Sequence, residues 1–96
     1  MMEEAEYMAL VDLLEAASGK ISRLGAGIIA ALALDIASDS RSFARLLGVA
    51  HALVLREVAL LGEEGSYIAI RQRDARTQRI RYELSRAGER LLEEAG

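Results

Sequence analysis

Residues 40–84 read SRSFARLLGVAHALVLREVALLGEEGSYIAIRQRDARTQRIRYEL, and the last twenty of them, GSYIAIRQRDARTQRIRYEL, decide the fold. This segment alternates, breaks at a polar tip, and alternates again. Tyr67, Ala69, Arg71 and Arg73 fall on one face of the first arm, and Ile68, Ile70 and Gln72 on the other. In the second arm Ile80, Tyr82 and Leu84 face one way, and Arg79, Arg81 and Glu83 the other. Period-two alternation on both sides of Asp74, Ala75, Arg76 and Thr77 predicts a β-hairpin with one half-buried face. The tip lacks the Asn-Gly or Gly-Gly of a two-residue turn, so a longer loop is expected. Six arginines between Arg71 and Arg86 stand against only Asp74 and Glu83. A cationic hairpin on an otherwise acidic chain points to a partner of negative charge, with nucleic acid first.

The totals bound the rest. Ninety-six residues suit one domain, and 52% hydrophobic residues are enough to build a core. With one Phe and three Tyr as the only aromatics, that core must be aliphatic. The absence of cysteine excludes disulfides, a thiol nucleophile and cysteine-ligated metal, and it suits a cytoplasmic protein. One histidine, His51, does not make a histidine-based metal site. No metal or other cofactor is expected. The net charge of −3 hides a segregation: residues 1–19 carry five acids and no base, and residues 66–86 carry six bases and two acids. The acidic start is the opposite of a secretory leader. The longest uncharged run, residues 24–34, is eleven residues and too short to span a bilayer, so no membrane partner is expected.

Helical periodicity fills the remainder. Over residues 3–18, Tyr7, Leu10, Val11, Leu14 and Ala17 make one apolar stripe, Glu3, Glu4 and Glu6 suit the first turn, and Gly19 is the expected stop. Residues 22–36 follow, capped by Ser22. GAGIIAALAL is apolar all round, which places this helix in the core. Gly25 and Gly27 lower helix propensity, and close approach of another backbone is the expected reason for them. Asp39 or Ser40 caps a third helix, Ser40–Leu47, and Gly48 ends it. A fourth covers residues 50–61. Ser85 caps a last helix over residues 86–95, with Leu91 and Leu92 apolar. The fold class is therefore mainly α with a small β-hairpin, in one domain over residues 1–96.

The third and fourth helices have helix-turn-helix spacing over residues 40–61: a small residue, Ala44, then Gly48 in the turn, then a branched plug, Val54. Phe43, Leu47, Val49 and Val58 occupy the accompanying core positions. With the hairpin of residues 66–84 following directly, residues 22–92 resemble a winged helix-turn-helix domain of the multiple-antibiotic-resistance-repressor (MarR) type. That family's wing motif, Asp-x-Arg-x-x-Arg, is matched by Asp74, Arg76 and Arg79. Its following Leu-Thr-x-x-Gly is matched by Leu84, Ser85 and Gly88.

The resemblance implies a DNA-binding transcriptional regulator acting on double-stranded DNA. The fourth helix would enter a major groove with Ala50, His51, Ala52, Leu55 and Arg56. The wing, with Arg71, Arg73, Arg76 and Arg79, would reach a minor groove or phosphates. It further implies a homodimer built from the terminal helices, residues 3–18 and 86–95, and leaves room for a small-molecule effector without naming one. The apolar stripe of the first helix, lacking an obvious partner in a minimal winged helix, points the same way. Three departures stand out. The fourth helix is apolar, with only His51 and Arg56 as donors among its contact positions. Ala75 stands where the wing has proline. The last helix is shorter than the family's.

Arg79 is expected to hold the wing's shape; the alternative to DNA contact by Arg73 and Arg76 is a solvated hairpin tied by salt bridges, with Asp74 pairing Arg76 or Arg79. Tyr7 is read as an interface or core residue and Tyr82 as core. The competing expectation is a protein-interaction module, in which Leu53, Leu55 and Leu60 would bury against a partner; exposure of these leucines favours it. Catalysis is not expected. Glu63 and Glu64 are adjacent and point apart, and Ser66, Ser85 and His51 have no triad spacing.

Overall fold

The computed structural model describes residues 2–63 and 67–96, the side chains of residues 2 and 3 apart. The expectations for Glu3, Glu64, Gly65 and Ser66 lie outside these. The element order is α1 (Met2–Ala17), α2 (Arg23–Ala33), α3 (Ser40–Leu47), α4 (His51–Glu63), β1 (Ile68–Arg73), β2 (Ile80–Leu84) and α5 (Arg86–Ala95). None of the described helices is long and apolar enough to cross a membrane.

The helix starts follow local chemistry. The side chains of Ser22, Asp39 and Ser85 accept backbone N–H groups that the first turns of α2, α3 and α5 leave unpaired. Gly48 caps α3 at φ +68°, a left-handed conformation that glycine adopts without a Cβ penalty. Gly19 follows α1 without a left-handed backbone. Helix α2 ends at Ala33, before the expected residue 36, because Asp35 takes φ +60° and turns the chain.

Helix α2 is central, with every residue from Gly25 to Ala31 buried. Tyr7, Val11 and Leu14 of α1 lie in the same core, together with Phe43, Val54, Val58, Ile68, Ile80, Tyr82 and Leu91. Each fully buried aliphatic side chain contributes about 1.5–3 kcal/mol. The α1 stripe thus packs within the chain, against α2 and α5, and is not the unpartnered surface that motivated a dimer. At the stripe's edges Leu10 is half-buried and Ala17 is exposed. Leu47, expected in the core, is 41% exposed. The glycines of α2 also differ from expectation. A Cβ on Gly27 would lie 2.7 Å from the Tyr7 hydroxyl, which donates to the Gly27 carbonyl at 3.0 Å. The close neighbour is therefore a side chain, not another backbone.

The hairpin is antiparallel, with Ile68 opposite Leu84, Ile70 opposite Tyr82, Gln72 opposite Arg81 and Arg73 opposite Ile80. Arg71 is thus the extra residue of a β-bulge. The bulge reverses the alternation beyond it and puts Arg73 on the face of Ile80, not on that of Tyr67 and Ala69. The loop is long, as expected, and Asp74 organises it. The Asp74 carboxylate accepts Arg76 N–H at 2.9 Å, and Asp74 N–H donates to Arg79 O at 2.9 Å. No ion pair joins Asp74 to Arg76 or Arg79 among the described residues; the aspartate is occupied by the turn's backbone. On its other edge β2 meets the segment before α3. Tyr82 N–H donates to Ser38 O at 3.1 Å, and Asp39 and Arg81 form a single β-bridge.

Candidate nucleic-acid interface

Asp39 and Ser40, side by side at the start of α3, fasten the hairpin to the helix pair. Asp39 Oδ2 accepts Arg41 N–H and Ser42 N–H, both at 3.0 Å, and lies 3.2 Å from Arg79 Nε. Burial pushes the Asp39 carboxyl up, but hydrogen bonds from Ser42, the Arg79 charge and the Arg41 N–H outweigh it and hold the pKa below its ordinary value. Ser40 Oγ accepts Ile80 N–H at 2.9 Å and lies 2.9 Å from His51 Nε2. Arg41 reaches the loop as well, its guanidinium donating to Thr77 O at 3.1 Å. The starts of α3 and α4 and the hairpin loop therefore converge.

The residues singled out by sequence divide into three sets. Arg73 and Arg76 on the hairpin, and Ala50, Ala52 and Arg56 around α4, are exposed. His51 and Arg79 are half-buried and engaged, the first with Ser40 and the second with Asp39; this agrees with a structural role for Arg79. Leu55 is half-buried and Arg71 exposed. Leu55 packs against the core, and Arg71 sits in the bulge, 3.6 Å from Glu83. Burial lowers the His51 pKa, Arg41 and Arg79 lower it further, and Asp39 acts in the opposite sense.

Sequence reasoning missed Arg41 and Arg45. Both are exposed on α3, and together with Ala44, Val49 and His51 they line a pocket of about 200 Å³. Their i, i+4 spacing, which puts two guanidiniums on one helix face, was the available signal. Acids stand among these groups too, Asp39 beside Arg79 and Asp74 engaged by the loop's backbone, while Glu4, Glu6, Asp12 and Glu15 on α1 and Glu89, Glu93 and Glu94 on α5 lie on two helices that pack together.

The outward face of α4 consists of Ala52, Leu53, Arg56, Ala59, Leu60 and Glu63. Leu53 is 47% exposed and Leu60 42%. Comparison of the chain with protein-family models, with curated proteins and with solved structures gave no match in any of the three.

Proposed function

We propose that the chain binds double-stranded DNA as a winged helix-turn-helix transcriptional regulator, with α4 toward a major groove and the hairpin as the wing. The observation that carries this reading is the cationic surface at one junction. Exposed Arg41 and Arg45 of α3 adjoin the start of α4, and Arg41 touches the loop that presents Arg76. Phosphates are the partners such an array suits, and phosphate contacts supply most non-specific affinity. The bridge of Asp39 to Arg81 supports the winged topology, since it sets the hairpin beside the helix pair as one unit.

Fluorescence anisotropy with a mixed-sequence duplex, titrated across salt, tests the proposal. The native chain should bind with a steep log–log salt slope, about −0.9 for each phosphate neutralised. Arg76→Ala should reduce that slope by about one unit for each phosphate contact it removes. Absence of binding at about 50 mM salt, where electrostatic contacts are strong, refutes it.

A specific observation favours a second reading. Leu53 and Leu60 are exposed on α4, as a protein-interaction module would require. In that case the arginine hairpin would meet an acidic protein surface, and duplex DNA would not bind.

A further inference from the structure

The Ser40 side chain is completely buried, and among the described residues its hydroxyl has two partners, Ile80 N–H and His51 Nε2, each at 2.9 Å. A serine hydroxyl has one proton and two lone pairs. The Ile80 N–H is a donor and must take a lone pair. The hydroxyl proton then has one acceptor within reach, His51 Nε2. A hydroxyl that accepted from both neighbours would leave its own proton buried and unpaired, an arrangement folded proteins avoid. A ring nitrogen that accepts carries no proton, so the imidazole proton resides on Nδ1.

We propose that Ser40 is a positioning residue that holds His51 as the neutral Nδ1–H tautomer and thereby makes the start of α4 a fixed donor for a phosphodiester oxygen. The inference rests on the DNA-binding reading and deepens it. The ring lines the same pocket of about 200 Å³ as Arg41 and Arg45. Two guanidiniums and one neutral N–H, between the apolar walls of Ala44 and Val49, offer donors and no side-chain acceptor. That chemistry suits an anionic oxygen and not a base edge, which would present acceptors and donors together. Ser40 also binds Ile80 at the root of the hairpin's second strand, so the same hydroxyl fixes the wing and the donor relative to each other.

Ring nitrogen shifts in the ¹⁵N-labelled native chain near pH 7.5 test the lock directly, without substitution. The expected result is a protonated Nδ1 and an unprotonated Nε2 at His51; the reverse assignment overturns the proposal. The contact is tested by His51→Gln, which keeps a polar group for Ser40 and removes the Nδ1–H. It should melt like the native chain and bind the mixed-sequence duplex about tenfold more weakly, as the loss of one hydrogen bond to a charged group implies. Ser40→Ala should mix the two tautomers at His51 and weaken binding less than His51→Gln does, about twofold where the tautomers are equally populated, with the fold checked by its melt. Native-like duplex affinity in His51→Gln overturns the phosphate contact. If the native chain binds no duplex, the DNA-binding reading and the contact fall together, while the ring shifts still decide the lock.

Discussion

Asp39 is the residue whose replacement should loosen α3 and the hairpin at once. Its carboxylate caps α3 through two N–H groups and is 8% exposed; the Arg79 side chain facing it is 32% exposed. Arg79 Nε meets Oδ2 at 3.2 Å without hydrogen-bond alignment, so the pair acts by charge attraction. Losing the cap in Asp39→Ala costs about 1 kcal/mol. Losing the ion pair adds about 1 kcal/mol, kept small because solvent reaches the guanidinium. Asn is as good an N-cap as Asp, so Asp39→Asn should lose only the charge part, about 1 kcal/mol. Unfolding a chain of 96 residues changes the entropy by about 0.2 kcal/mol/K, so each kcal/mol shifts Tm by about 5 °C. Thermal melts followed by circular dichroism at pH 7 should therefore show Tm lower by about 10 °C for Asp39→Ala and about 5 °C for Asp39→Asn. A cycle of Asp39→Asn with Arg79→Gln should show coupling of about 1 kcal/mol. Equal melts for Ala and Asn, or strictly additive effects in the cycle, would refute this account of how the hairpin is fastened.

Gly88→Ala would put a Cβ 2.2 Å from the Tyr67 carbonyl oxygen, which also accepts Ser85 N–H at 3.1 Å; the strain should cost about 3 kcal/mol, read as a Tm about 15 °C lower. The tyrosines should behave oppositely in urea titrations. Tyr7→Phe loses the bond to Gly27 O, about 1 kcal/mol, whereas Tyr82→Phe removes a buried hydroxyl with no partner among the described residues and should be neutral or stabilising. The His51 pKa is lowered in the folded chain from 6.5, so the unfolded chain takes up a proton first as pH falls. Its contribution to stability is complete above about pH 6.5 and is lost below it; a set of melts from pH 8 to 5 should show this fall in the native chain and a smaller one in His51→Gln.

The parts legible in the sequence are those governed by neighbours a few residues away. Ser22, Asp39 and Ser85 cap the helices expected of them, and Gly48 takes the left-handed turn, because a cap or a turn is fixed within about four residues. Features set across the chain were not legible. The bulge at Arg71 depends on the register with β2, and either arm alternates equally well without it. Arg79 was expected to brace the wing, but its partner is Asp39, forty positions earlier, and Asp74 is held by the loop's own N–H groups. Leu47 stands at a core position of the helix-turn-helix spacing and is still half in solvent, since that spacing gives a position and not what covers it. For the candidate site, the sequence supplied positions more readily than partners. The arginines of the hairpin were visible; the bond from Ser40 to His51 spans eleven residues and was not.

On the DNA-binding reading, the outward face of α4 constrains the kind of recognition. Distinguishing base pairs in the major groove takes donors and acceptors, and bidentate pairs contribute about 1–3 kcal/mol of discrimination each. Along Ala52, Leu53, Arg56, Ala59, Leu60 and Glu63, only Arg56 can make the guanine contact that arginine favours. Leu53 and the alanines can do no more than touch thymine methyl groups, and Glu63 would repel a phosphate. Most of the affinity must then come from arginines outside α4: Arg41 and Arg45 on α3, Arg73 and Arg76 on the hairpin. Such contacts follow groove width and backbone shape more than base identity. A regulator built this way would select its sites mainly by deformability and a narrow minor groove under the wing, and its preference among sequences should shrink more when Arg76 is removed than when Arg56 is.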